Sequence, residues 1–286
     1  MINWFLRRRS RNTNSRIINS LDISHSNKVL FALFTRYGDT VVSLVVIREF
    51  IEKNPKKEYL ILCPEQMEPY VNDLLPGIRC ISINKRNFFK MFKLAQLLQA
   101  WEPDIGFNPW SNGLDSCYFL TFCERYHCYK DFQRPSIVNH YQVVRKYLGL
   151  PEKNWEIIQT KFSVERLQNI VICPQSTDSK RSIPDSELNN LIKDLKQLNP
   201  IKITIASMDF EYRRDGFDSF LFKKNKASSI DFLKLVKEAN LVVSCDTGPL
   251  HIALALKKPV WAYFNSTQPE IVLNSNSELK VLNVKN

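Results

Sequence analysis

Glycine is scarce in this chain, at 7 of 286 residues, and neither G-x-G-x-x-G nor G-x-x-x-x-G-K-[ST] occurs. The dinucleotide and P-loop fingerprints are therefore excluded. No apolar run reaches the roughly 18–20 residues that a membrane-spanning helix requires. Histidine is limited to His25, His127, His140 and His251, too scattered for metal-ligand spacing. Cys117, Cys123 and Cys128 lie close to His127, but no C-x-x-C pair accompanies them, so no zinc site is expected. The seven cysteines are odd in number and mostly apolar in setting, as befits reduced, buried thiols of a cytosolic protein. There is no D-x-D pair to hold a metal-bound nucleotide diphosphate, and no metal is expected. Nor is there the patterned basic and aromatic interleaving of a nucleic-acid module.

What is present sets the class. Apolar residues make up 44% of the chain and aromatics 12%, enough to offset chain entropy by burial. The length suits two domains of about 130–150 residues. Forty basic against 29 acidic residues leave a formal charge of +11. That balance favours an anionic partner: nucleic acid, a phosphorylated small molecule or an anionic membrane face. The amino terminus, "MINWFLRRRSRN", places Trp4, Phe5 and Leu6 before Arg7, Arg8, Arg9 and Arg11. A signal peptide has the reverse order. The segment suits a short interfacial anchor, with rings in lipid and arginines on phosphates; a solvated terminus is the alternative.

Along the chain, short apolar runs alternate with amphipathic ones. Strands are expected at 28–34, 58–63, 79–83 and 104–108, with helices at 40–53, 68–75, 88–101 and 136–150. The polar segment 151–168 reads as a connection. The rhythm then restarts with strands at 169–173, 201–207, 241–245 and 260–264 and helices at 185–198, 229–239 and 249–257. Such alternation implies βαβ units and mostly parallel sheets covered by helices. The expectation is two α/β domains, 1–155 (with 1–16 as a basic amphipathic extension) and 156–286, and a ligand cleft between them.

Three strand-to-helix turns carry candidate chemistry. In "TRYGDT" (35–40), Gly38 permits a tight turn, and Asp39 near the helix start complements its dipole or serves as a general base. "CPQSTDSKRSIP" (173–184) offers Ser176 and Thr177 as polar donors and Lys180 as a point charge for phosphate. In "SCDTGPLHIALAL" (244–256), Asp246 or Thr247 can cap the next helix, with Pro249 in its first turn. Gly248 allows close backbone approach and leaves helix N–H groups for an anion, and His251 falls within the first turn. Taken singly, each turn also fits an ordinary solvated loop or capped helix.

Together, "RYGDT", "PQSTDSKRSIP", "DTGPLHIALAL" and "PVWAYFNSTQP" resemble, in order, the segments of glycosyltransferase family 9, the bacterial lipopolysaccharide heptosyltransferases. The resemblance spans roughly residues 28–269. It implies a GT-B fold: two Rossmann-like domains with parallel sheets facing a central cleft, acceptor in the first and donor in the second. It implies an inverting, metal-independent sugar transfer without a cofactor. ADP-heptose is the implied donor, and the lipopolysaccharide core or another lipid-linked glycan the acceptor. The work would take place in the cytoplasm, at the anionic inner face of the bacterial inner membrane, with no nucleic-acid partner. Asp39 matches the base; Ser176, Thr177, Lys180, Asp246, Thr247, Gly248 and His251 fall in the donor segments. Arg36 is a candidate for acceptor or phosphate contact, because Leu33 stands where the family often has a basic residue. Asp209 and Glu211 are candidates for the ribose, and Asn265 replaces a usual glycine. These departures leave open another nucleotide sugar, or a non-catalytic nucleotide-sugar or glycan-binding protein.

Overall fold

The computed structural model describes residues 23–84, 86–133, 139–153, 168–197, 200–208, 216–273 and 279–282. The basic extension at 1–16 lies outside them, as do Asp209, Glu211 and most of the expected connection. The described chain forms two compact units. One contains the residues before 153 apart from Asn139 and His140; the other contains those two and the residues from Lys153 onward.

The first unit runs β1 (Lys28–Ala32), α1 (Tyr37–Lys53), β2 (Glu58–Pro64), α2 (Glu68–Leu74), β3 (Arg79–Ile83), α3 (Phe88–Trp101), β4 (Ile105–Phe107), α4 (Leu114–Leu120), β5 (Arg125–His127) and α5 (His140–Tyr147). Its sheet is parallel throughout, in the order β3-β2-β1-β4-β5. β1 and β2 are buried over nearly their whole length. That is why they read as continuous apolar runs rather than alternating ones: helices cover a parallel sheet on both faces. Phe31 of β1 stacks on Phe107 of β4 with ring centroids 5.5 Å apart and meets Phe50 of α1 edge-on at 5.8 Å. α4 lies so close to β4 that a Cβ on Gly106 would sit 2.5 Å from the Cys123 Sγ and 2.8 Å from a Leu120 methyl. Here the missing side chain is a packing requirement.

The second unit runs β6 (Asn169–Cys173), α6 (Asp185–Gln197), β7 (Lys202–Ser207), β8 (Asp218–Leu221), α7 (Lys226–Glu238), β9 (Leu241–Cys245), α8 (Gly248–Ala255), β10 (Val260–Tyr263), α9 (Pro269–Val272) and β11 (Leu279–Leu282). Its six strands are also parallel, ordered β11-β10-β9-β6-β7-β8. Ile170, Ile172, Leu241 and Val243 pack with Leu188, Ile192 and Leu195 of α6. α8 is wholly apolar between Leu250 and Ala255 except for His251, and all six residues are buried.

Each unit is thus a Rossmann-like parallel sheet, and both reverse strand order once. The first chain segment builds outward from β1 through β3, then returns to β4 on the far side of β1. The second does the same from β6, returning at β9. Open parallel sheets bind ligands outside the strand carboxyl ends at such switch points. The cleft between the halves remains an expectation from sequence.

Several local expectations are corrected. α1 starts at Tyr37, not at 40, because the Thr40 N–H already donates to the Arg36 carbonyl at 2.9 Å. Gly38 and Gly248 therefore lie inside first helical turns, and neither has the positive φ of Gly77, Gly149 and Gly216. α5 begins at His140 rather than at 136; residues 134–138 lie outside the described set. α4, β5, β8, α9 and β11 were not expected.

Candidate active site

In the first unit the switch-point loops follow β1 and β4. Asp39 is the third residue of α1, whose N-cap is Arg36. Its Oδ2 accepts from the Thr35 hydroxyl at 3.4 Å, and that hydroxyl also lies 3.3 Å from the Trp110 carbonyl oxygen. One threonine thus ties Asp39 to the loop after β4. Trp110 holds φ at 62°, the left-handed region that disfavours side chains. The neighbouring Asn108 is fixed on every side: its N–H donates to the Tyr147 hydroxyl at 3.0 Å. Its Nδ2 donates to the Ser111 carbonyl at 2.9 Å, and its Oδ1 accepts from the Tyr129 N–H at 2.7 Å. The strained Trp110 thus lies two residues from a buried asparagine bonded on three sides, so this loop is held in a defined conformation beside Asp39. Asp39 is half-buried in the first turn of α1, where a carboxylate complements the helix dipole. Arg36 is exposed, and its side chain makes no capping bond.

In the second unit the corresponding loops follow β6 and β9, which are neighbours in register at Cys173 and Ser244. Asp246 emerges from β9 and is buried. Its Oδ2 lies 3.4 Å from Nη1 of Arg181, which belongs to the loop after β6. The two switch-point loops are therefore joined by an ion pair that was not anticipated. Arg181 sits on a short 3₁₀ turn, Ser179–Arg181, capped by Asp178, whose Oδ1 accepts from the Lys180 N–H at 3.1 Å. That turn points Arg181 at Asp246 and leaves Lys180 exposed. The Asn265 amide donates to the Lys180 carbonyl at 3.0 Å, bringing the loop after β10 to the same place. Ser176 is half-buried, its N–H donating to the Ser182 hydroxyl at 2.9 Å; Thr177 is exposed.

Thr247 is the N-cap of α8 in extended conformation, but its side chain makes no capping bond. Asp246 is not the cap. The N-cap side chain thus leaves the first-turn N–H groups of the helix uncapped, with Gly248 and Pro249 at its start. Uncapped N–H groups and the positive dipole end form an anion-binding arrangement. His251 lies one turn in and is buried; burial pushes its pKa down to about 4, partly opposed by Asp246. It is a neutral imidazole at neutral pH, a hydrogen-bonding group rather than a cation. Cys245 is pushed up to about 12, chiefly by burial, and Cys173 is raised further, so both thiols stay protonated beside the site. Among the described residues no group of three His, Cys, Asp or Glu is placed to hold a metal. Asp39, Arg36 and the loop after β4 thus form one cluster. Asp246, Arg181 and His251 interact directly, and Asn265 joins the Lys180 turn, while Ser176, Thr177, Thr247 and Gly248 lie on the same two loops and helix start.

Two Rossmann-like units, each an open parallel sheet with one switch point, define an α/β protein of the two-domain type. The model of glycosyltransferase family 9 (heptosyltransferase) matches residues 117–285, more than half of the chain, and the chain belongs to that family. The match contains the candidate residues of the second unit and leaves Arg36 and Asp39 outside it. No curated protein matches the sequence. Among solved structures, the fold is similar to E. coli ADP-heptose lipopolysaccharide heptosyltransferase II (TM-score 0.66, 15% identity, 90% of this chain and 91% of that one). It is also similar to a family 9 glycosyl transferase from Veillonella parvula (0.69, 12%, 93% and 88%). A third is the iron-containing dodecameric glycosyltransferase TibC of enterotoxigenic E. coli (0.58, 14%, 91% and 64%). At these identities the likeness is one of fold: two parallel-sheet α/β domains of the GT-B kind. The protein is a glycosyltransferase.

Proposed function

We propose that this glycosyltransferase transfers heptose from ADP-heptose to the lipopolysaccharide inner core or a related lipid-linked surface glycan, with inversion and without a metal. The observation that carries the reading is the second switch point, where a buried Asp246 paired with Arg181 sets an uncapped helix start beside Lys180 and Ser176. The name of the E. coli structural neighbour supports the donor. Asp39 takes the proton of the acceptor hydroxyl as its oxygen bonds to the anomeric carbon. The bond from that carbon to the diphosphate oxygen breaks, and its electron pair leaves on ADP. Lys180, Ser176 and the start of α8 stabilise the charge gathering there. Thr247 and His251 supply hydrogen bonds to the same leaving group, and Arg36 is placed by the reading on the acceptor or a phosphate. The site of action would be the cytoplasmic face of the inner membrane; among the described residues no helix is long and apolar enough to cross one.

Turnover of a nucleotide-sugar panel against truncated lipopolysaccharide cores tests the donor. ADP-heptose should exceed the others; a preference for another sugar nucleotide would overturn the donor assignment and leave the glycosyltransferase standing. Lys180→Ala should weaken ADP binding by about 1.5 kcal/mol, the low end for a charge-assisted bond, because the side chain is exposed. Calorimetry with ADP measures this, and unchanged affinity would remove Lys180 from the donor site. Exhaustive chelation should leave the rate unchanged. Loss of activity restored by Mg²⁺, Mn²⁺ or iron would contradict the metal-free scheme.

A further inference from the structure

Six large apolar side chains are exposed among the described residues, and three of them share the first turns of one helix: Phe88 (52%), Phe89 (79%) and Phe92 (55%) on α3. The helix itself is well anchored. Asn87 caps it, accepting from the Lys90 N–H at 3.0 Å, and Met91, Leu94 and Leu98 are buried against the first unit's core. At 100° per residue the phenylalanine stripe and the buried stripe point roughly 130° apart, so the rings are not the margin of the packed face. Phe88 and Phe89 meet edge-on at 6.3 Å and still leave most of their area in water. Nothing in the unit's own packing explains three aromatic rings there.

Their surroundings are basic. Residues 84–93, "NKRNFFKMFK", hold Lys85, Arg86, Lys90 and Lys93 and no acidic residue. Arg86, Lys90 and Lys93 are exposed, and Lys90 also reaches Glu65 at 2.8 Å in a solvent-facing pair. Rings that seek the acyl boundary, interleaved with cations that seek phosphates, fit an anionic bilayer surface. A second copy fits poorly, because a two-fold contact through this patch would set like charges against each other. The amino terminus repeats the same chemistry with Trp4, Phe5, Leu6 and four arginines, and stable anchoring takes two signals.

We infer that the start of α3 is a membrane-docking surface: Phe88, Phe89 and Phe92 enter the interface of an anionic bilayer while Arg86, Lys90 and Lys93 bind its headgroup phosphates. Its purpose rests on the proposed lipid-linked acceptor; the binding itself does not. The test uses the full chain and vesicles of phosphatidylethanolamine with phosphatidylglycerol, against vesicles of phosphatidylcholine alone. The triple variant Phe88→Ser, Phe89→Ser and Phe92→Ser should lower partitioning to anionic vesicles by about 100-fold while melting like the parent. Arg86→Glu with Lys93→Glu should abolish the difference between the two lipids. Equal partitioning by the parent and the triple variant would overturn the inference, as would a parent that binds neither vesicle. So would sedimentation that shows a dimer lost in the triple variant. Turnover on a soluble, delipidated acceptor should be unchanged by the serines, and a parallel loss there would assign the rings to the acceptor site instead. Failure to turn over ADP-heptose with any acceptor would undo the proposed reaction and leave the vesicle result standing.

Discussion

Asp39→Asn should turn over its substrates about 10²–10⁴-fold more slowly, the usual contribution of a positioned general base. The amide keeps the shape of the carboxylate and its contact with the Thr35 hydroxyl, 3.4 Å away, so the local structure should hold. What it loses is the ability to take a proton. The acceptor hydroxyl must then attack without deprotonation, or through water. ADP binding should be unaffected, because the residues proposed to bind the donor belong to the other unit. The expected signature is therefore a fall in kcat with unchanged affinity for ADP, the pattern of an interaction made in the transition state alone. Thr35→Val should give a smaller loss, since it releases Asp39 from the Trp110 loop without removing the carboxylate. Near-normal turnover by Asp39→Asn would remove this residue from the mechanism.

Much of the fold was legible because parallel strands buried on both faces leave uninterrupted apolar runs. β3, α3, β6 and β9 fall on the limits read from sequence, and the last three are bounded on both sides by polar residues or a proline. The elements that were missed are short or lack contrast. β5 has three residues, β8 is a four-residue edge strand with its first two side chains in water, and β11 reads Leu-Lys-Val-Leu. α4, Leu-Asp-Ser-Cys-Tyr-Phe-Leu, carries no polar face, since five of its seven residues are buried.

The sequence offered the candidate site as residue types and not as pairings. Asp246 is a carboxylate in an apolar setting and needs a cation, and "KR" at 180–181 supplied two choices. Which one pairs depends on a single 3₁₀ turn, whose direction Asp178 sets, and no spacing rule gives that. Asn108 was missed for a similar reason. Its three bonds to Tyr147, Ser111 and Tyr129 join residues as many as 39 positions apart. The exposed rings of α3 stayed hidden inside an apolar run, because "FFKMFKLAQLLQAW" predicts a helix without showing which of its faces finds a partner.

His251 should make the second unit acid-labile. It is buried in α8 and faces Asp246, His140 and Arg181. Burial lowers its pKa from 6.5 to about 4; Asp246 opposes the shift, and His140 and Arg181 add to it. The unfolded chain takes up a proton as the pH falls through 6.5, whereas the folded chain excludes it until about pH 4. The stabilisation is thus fully present above pH 6.5 and lost between there and pH 4. At roughly 1.4 kcal/mol per pKa unit the full swing is about 3 kcal/mol, of which about 2 kcal/mol falls between pH 7.5 and 5.0. His251→Gln keeps a hydrogen-bonding side chain but does not titrate. It should be less stable than the parent at pH 7.5 through lost packing, yet its urea midpoint should fall much less on acidification. The same substitution separates the two roles of the imidazole. Because His251 is neutral near pH 7, ADP affinity in the parent should not decline as the pH rises from 6 to 8, as it would if the residue bound phosphate as a cation. Equal pH dependence of unfolding in parent and variant, with tighter ADP binding at pH 6 than at pH 8 in the parent alone, would show that His251 is charged in the folded protein.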